Sequence, residues 1–197
     1  MSIPAILSAA GVSGQKTISS PTGLPLHDHT VQCVLTRARK FMGTTMSNDR
    51  DDIGPPQLVR YTAGQQSDEQ YGMDDELQGA DDSRGTFEPS ASLVVTLQDN
   101  CTGGETYFPY IGPKAPENSP GNVQDVSRRH WTDLDPTFRP HQDGGLAFRP
   151  LQGNALFLVN LHPNGSKDER LMHVSLPVGQ GVKIDMSIWL GRFHQQK

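Results

Sequence analysis

The pattern that most restricts this chain is its punctuation. After a single stretch of helical periodicity, the apolar residues come in about seven short runs, each closed by a turn containing Gly, Pro or Asn. With 20 glycines and 15 prolines in 197 residues, backbone breakers stand well above average usage. Val31, Val34, Leu35, Ala38, Phe41 and Met42 recur at helical spacing, with Asp28 or Thr30 placed to cap the start and Gly43 to end it. Strand signals follow at 57–61, 92–97, 106–108, 146–149, 155–160, 172–178 and 182–189. One helix and a series of short strands, without βαβ alternation, predict a mainly β protein, an antiparallel sandwich or jelly roll. No phosphate-cradling glycine loop precedes a helix, so a nucleotide-binding fold is not expected.

A single domain over 1–197 is expected from the length and the ordinary apolar content of 34%. Residues 1–26 lack sustained periodicity and are expected to lie on the domain as an extended arm. The acidic stretch 68–82 is too polar for a core and reads as a surface loop. The segment 110–145, rich in Pro, Asn, Asp, Arg and Ser, is long for a loop inside a compact domain and reads as a lid-like insertion. A formal charge of −5 excludes a basic nucleic-acid footprint. No apolar run approaches the roughly 18 residues that span a bilayer, so no membrane partner is expected. The start of the chain has no charged leader, and two cysteines, Cys33 and Cys101, cannot build a disulfide framework. A cytoplasmic location is the expectation.

Several motifs, in order, carry a resemblance. Leu58-Val59-Arg60-Tyr61-Thr62-Ala63-Gly64-Gln65 and Gly103-Gly104-Glu105-Thr106-Tyr107-Phe108-Pro109 stand in the first half. The run from Gly145 to His162, then Asp168-Glu-Arg-Leu-Met-His173, Pro177-Val178, Gly181-Val182-Lys183 and Trp189 stand in the second. Over residues 31–192 the chain resembles the prolyl-4-hydroxylase-like Fe(II)/2-oxoglutarate dioxygenases, in their short fungal form. The resemblance implies a double-stranded β-helix, a cupin-like jelly roll with a flanking helix. It also implies a facial triad of two histidines and a carboxylate on iron, with sites left for 2-oxoglutarate and oxygen. By that resemblance His173 is the distal histidine. Lys183, ten residues on, stands where the family pairs a cation with the far carboxylate of 2-oxoglutarate, and Tyr61 stands where a tyrosine helps hold it.

The family takes its other two iron ligands from a His-x-Asp motif beginning nine residues after that tyrosine, where this chain reads Gln70-Tyr71-Gly72. No histidine occurs between His29 and His130, so no shift of alignment restores the motif. An amide is a poor iron ligand and glycine offers no side chain. Three readings follow. In the first, the pocket works without metal or cofactor as a tailoring enzyme on a small-molecule natural-product intermediate. His173, Lys183 and Tyr61 then serve a non-oxidative isomerisation, cyclisation or dehydration, so an isomerase is favoured over an oxygenase. In the second, Fe(II) and 2-oxoglutarate are kept through substitute ligands, His141 and Asp143 of Pro140-His141-Gln142-Asp143, beside His173. In the third, the chain is a non-catalytic partner of an active, related dioxygenase. Homo- or hetero-oligomers are compatible with all three.

Gln70, Tyr71, Trp131, His141 and Arg149 are the candidates for substrate contact, with His130 and Trp131 on the insertion as a lid. Asp68, Glu69, Asp74 and Asp75 flank the altered motif and offer a base, although an acidic run usually forms a solvated loop. His27-Asp28-His29 looks like a metal pair but precedes the helix, where Asp28 has a capping role. His162 falls in a turn, while Phe157 and Trp189 fit core positions. No nucleophile elbow is present.

Overall fold

The computed structural model describes residues 17–18, 22–25, 27–42, 51–54, 56–67, 86–111 and 137–194. Two long strands, β6 (Thr86–Gly103) and β12 (Val178–His194), form its axis. They pair antiparallel from Val178 opposite Gly103 to His194 opposite Thr86. Around them lie β1 (Thr17–Ile18), β2 (Thr22–Gly23), helix α1 (His29–Met42), β3 (Asp51–Ile53), β4 (Gln57–Thr62), β5 (Gln65–Gln66), β7 (Thr106–Phe108), β8 (Phe138–Pro140), β9 (Leu146–Phe148), β10 (Ala155–Val159) and β11 (Val174–Ser175). The larger sheet runs β10-β6-β12-β4-β2, with β3 also on β12, and the smaller runs β11-β7-β9-β8. This is the mainly β jelly roll expected from the sequence.

Side-chain alternation divides the larger sheet into two faces. Met186, Ile188 and Leu190 of β12, with Ala91 and Ile53, pack against Val31, Leu35, Ala38 and Met42 of α1. The alternate residues of β12, Lys183, Asp185, Ser187 and Trp189, take the other face, on which Lys183 reaches Ser175 of the smaller sheet. There Leu156 and Leu158 of β10 meet Phe108 and Phe148 in a second apolar cluster. The helix begins where Asp28 accepts the backbone N–H of Thr30 at 2.8 Å and of Val31 at 3.1 Å, so Asp28 is the cap and His27 and His29 are exposed. Phe157 lies on the helix side, edge-on to Phe41 at 5.3 Å.

Strand lengths differ from the sequence reading for identifiable reasons. The run 92–97 extends to 86–103 because Pro89, which argues against a strand interior, sits opposite Gly191 beside a register shift. The expected strand 172–178 is divided. Asp168 caps a 3-10 turn (Glu169–Leu171), and only Val174–Ser175 pairs before Pro177. Part of the 110–145 insertion, residues 138–140, is a strand paired to β9, whereas His130 and Trp131 lie outside the described residues. β1 runs parallel to β5 and β2 antiparallel to β4. Gly43 and the acidic stretch 68–82 lie outside the described residues. No helix among the described residues is long and apolar enough to cross a membrane.

Leu35, only 2% exposed, is central to the helix-sheet contact. Leu35→Ala is expected to cost about 2–5 kcal/mol in chemical denaturation, and Asp28→Ala about 1 kcal/mol through the cap.

Candidate active site

His173 precedes β11, and Ser175 lies within it. Period-two alternation gives them a common face, the one on which His173 stacks against Phe108 at a ring-centroid distance of 5.1 Å. Across the gap, β12 presents Lys183 and Asp185, and β4 presents Tyr61 directly opposite Lys183. Lys183 is 1% exposed. Its ammonium donates to Oδ2 of Asp185 at 2.9 Å and to Oγ of Ser175 at 3.4 Å, and lies 5.1 Å from the centre of the Tyr61 ring. The lysine thus bridges the two sheets. Gly104, with φ of +74°, makes room for its stem, since a Cβ there would stand 3.3 Å from Lys183 Cδ and 3.1 Å from Val178 Cγ2.

The tautomer of His173 is fixed by its partner. Nδ1 lies 2.8 Å from the carbonyl oxygen of Leu171, which can only accept, so Nδ1 carries the proton and Nε2 the lone pair. Burial lowers the pKa of His173 from its usual 6.5, and the nearby Lys183 charge lowers it further, against the opposing pull of the Leu171 carbonyl. A neutral imidazole held at one nitrogen, beside a buried cation, is equipped to accept a proton at the other.

Asp185 was absent from the sequence-derived site, and so was Ser175. The signal for Asp185 was present. It stands two residues after Lys183 in a strand of alternating apolar residues, and therefore on the same face. Its Oδ2 holds Lys183, while its Oδ1 is buried and has no partner among the described residues.

His141 and Asp143 do not join His173, which corrects the substitute-ligand reading of that pair. Tyr107 and Phe108 are successive residues of β7 and point to opposite faces of the smaller sheet. His173 stacks on Phe108, whereas His141 stacks on Tyr107 at 4.4 Å. The sheet separates the two imidazoles. His141 and Asp143 are used instead to close the β8–β9 turn, where the Asp143 N–H donates to His141 Nδ1 at 3.3 Å and the Gly144 N–H to the His141 carbonyl at 3.1 Å. The Tyr107 hydroxyl donates to the Gly144 carbonyl at 2.9 Å, and burial pushes its pKa up to about 12. Arg149 stands just past β9 with an exposed side chain. His162 makes a turn and approaches Asp168 at 3.7 Å. Gln70, Tyr71 and Trp131 lie outside the described residues, as do Asp68, Glu69, Asp74 and Asp75.

Fold and site together define a jelly-roll protein whose candidate site lies between the two sheets, where a buried lysine–aspartate pair and a neutral histidine are gathered. No protein-family model matches the chain. Its curated relatives are prolyl 4-hydroxylases. A probable prolyl 4-hydroxylase 7 of Arabidopsis thaliana is 33% identical over 100 residues, which is 51% of this chain and 27% of the relative. Prolyl 4-hydroxylase 13 of the same plant is 27% identical over 168 residues, 84% of this chain and 54% of the relative. The chain therefore spans about half the length, or less, of these relatives. Among solved structures, the viral collagen prolyl hydroxylase of Paramecium bursaria Chlorella virus-1, in its 2-oxoglutarate complex, superposes with a TM-score of 0.60 at 21% identity, covering 95% of this chain and 87% of that one. A Pseudomonas putida prolyl-4-hydroxylase gives 0.50 at 14% identity, covering 96% of this chain and 82% of that one. The chain is similar in sequence to prolyl 4-hydroxylases and has the fold of the prolyl hydroxylases among the 2-oxoglutarate oxygenases.

Two stability measurements follow from this geometry. Lys183→Met leaves Asp185 buried and unpaired, and is expected to cost about 3–5 kcal/mol, most of it recovered in a Lys183→Met/Asp185→Leu double variant. His173 has a lowered pKa when folded, so its contribution is full above about pH 6.5 and is lost as the pH falls. The thermal midpoint is expected to drop between about pH 7 and 5, and less so in His173→Asn. The Arg170 fork lowers the carboxyl of Asp168 from 3.8 to about 2, so the loss due to that group comes in a separate, more acidic window.

Proposed function

We propose that this chain is an enzyme of the 2-oxoglutarate-oxygenase fold that carries out a metal-independent, non-oxidative step on a small molecule, an isomerisation, cyclisation or dehydration. The observation that carries the reading is the buried pair of Lys183 and Asp185 at 2.9 Å beside a neutral His173. The family implies ferrous iron and 2-oxoglutarate, and the described residues fit them poorly. Among those residues no group of three or more His, Cys, Asp or Glu side chains is gathered around His173 or elsewhere to hold a metal. Gln70-Tyr71-Gly72 supplies neither imidazole nor carboxylate to add to His173. The charge of Lys183 is already met by Asp185.

In this reading Nε2 of His173 takes a proton from an acidic position of the substrate while the Leu171 carbonyl steadies the ring. The imidazolium returns the proton elsewhere on the same molecule, or to a leaving hydroxyl that departs as water. Lys183 donates to the oxygen on which charge develops. Its bond to Ser175, at 3.4 Å, is the long one and the one a substrate oxygen replaces. Tyr61 packs against the same ammonium and keeps it aimed across the gap.

A second reading, an iron-dependent oxygenase, is favoured by the names of the relatives and by the His173 tautomer, which suits a metal ligand as well as a base. One experiment separates the two. The purified protein is incubated under nitrogen with ferrous salt and 2-oxoglutarate, its iron is measured, and succinate is sought after air is admitted. The expected result is substoichiometric iron and no succinate. A metabolite extract incubated under nitrogen is expected to yield an isobaric or dehydrated product that is lost in His173→Asn. Stoichiometric iron with His173-dependent succinate formation overturns the proposal.

A further inference from the structure

The proposed function leaves open what the site binds, and Asp185 bears on that. Lys183 offers an ammonium on the inner face, the usual way to seize a ligand carboxylate, yet a carboxylate of the protein itself is already there at 2.9 Å. A second acid, Asp99, stands opposite Lys183 in the β6–β12 register and accepts the backbone N–H of Gln152 at 3.1 Å. One cation therefore faces two acidic residues, and His173 adds no positive charge while neutral. An anion arriving at Lys183 meets like charge at close range, which costs affinity steeply. The other oxygen of Asp185 makes the converse demand. Oδ1 is buried without a partner among the described residues, and a buried acceptor calls for a donor.

We propose that Asp185 is a specificity-determining residue that turns the Lys183 site from an anion clamp into a seat for a neutral ligand. Such a ligand bears a hydroxyl or amide N–H that donates to Oδ1, and dicarboxylates such as 2-oxoglutarate are refused. The inference deepens the proposed function and rests on it only in taking the space between the sheets as a small-molecule site.

A matched pair of probes tests it. Succinate and succinamide share a carbon skeleton, but one is a dianion and the other a neutral donor. Binding of each, and of 2-oxoglutarate, is measured by ligand-observed NMR and calorimetry on the wild type, Asp185→Ala, Asp185→Asn and Lys183→Met/Asp185→Ala, each checked for folding by circular dichroism. Wild type is expected to prefer succinamide. Asp185→Ala and Asp185→Asn are expected to gain at least about tenfold in affinity for succinate and 2-oxoglutarate and to reverse the preference. The double variant is expected to lose that gain. Asp185→Asn keeps the shape of the side chain, so the comparison survives if Asp185→Ala does not fold. Wild-type binding of 2-oxoglutarate as tight as in the folded variants overturns the proposal. Iron uptake and anaerobic turnover report separately on the proposed function, so either idea can fail while the other stands.

Discussion

The ladder between β6 and β12 is the constraint from which the rest of the molecule follows. It runs the whole length of both strands, and because side chains alternate along it, one choice of register assigns every residue of β12 to the helix or to the opposing sheet. Ile188 and Leu190 go one way, Lys183 and Asp185 the other. The apolar side gives the larger sheet a core with α1, and that core leaves the second face free to be polar where the sheets diverge. A slip of one residue would bury Lys183 under the helix and aim Ile184 and Met186 into the candidate site, so the hydrophobic pattern that stabilises the fold also fixes which groups gather there.

The polar face is built at some cost to stability. A lysine at 1% exposure and an aspartate at 5% have both lost their water, and their mutual attraction offsets that loss only while both are present. The orphaned Oδ1 adds to the burden. Features of this kind persist where they serve binding or catalysis, and their placement beside a histidine with one committed nitrogen marks the same region from a second direction. The Tyr107 side of the smaller sheet is different in character. There the Tyr107 hydroxyl donates to the Gly144 carbonyl and the Asp143 N–H to His141 Nδ1, so these groups serve to close a tight turn.

Much of this was legible in the sequence. The helix, its Asp28 cap and most of the strand positions follow from periodicity and turn residues. The motifs also single out Tyr61, Lys183 and His173, of which the fold places the Lys183 ammonium 5.1 Å from the Tyr61 ring. What escaped was non-local. Pro89 argues against a strand interior because the sequence does not display the register shift that lets a long strand absorb it. His141 with Asp143 copies the spacing of a metal motif, but spacing within four residues says nothing about which side of a sheet they occupy; the stacking on Tyr107 decides that. Asp185 lies outside the family pattern, and its importance comes from a partner two positions away in the strand.

The N-terminal pieces have a consequence of their own. β2 pairs with Leu58 and Gln57 at one margin of the larger sheet, and β1 lies along β5, so on this side the outer row of backbone N–H and C=O groups ends in a fragment of two residues. Fragments so short give a strand from another molecule almost nothing to zip onto. The N-terminal arm thus caps this margin of the sheet with a strand too short to be extended by a neighbour.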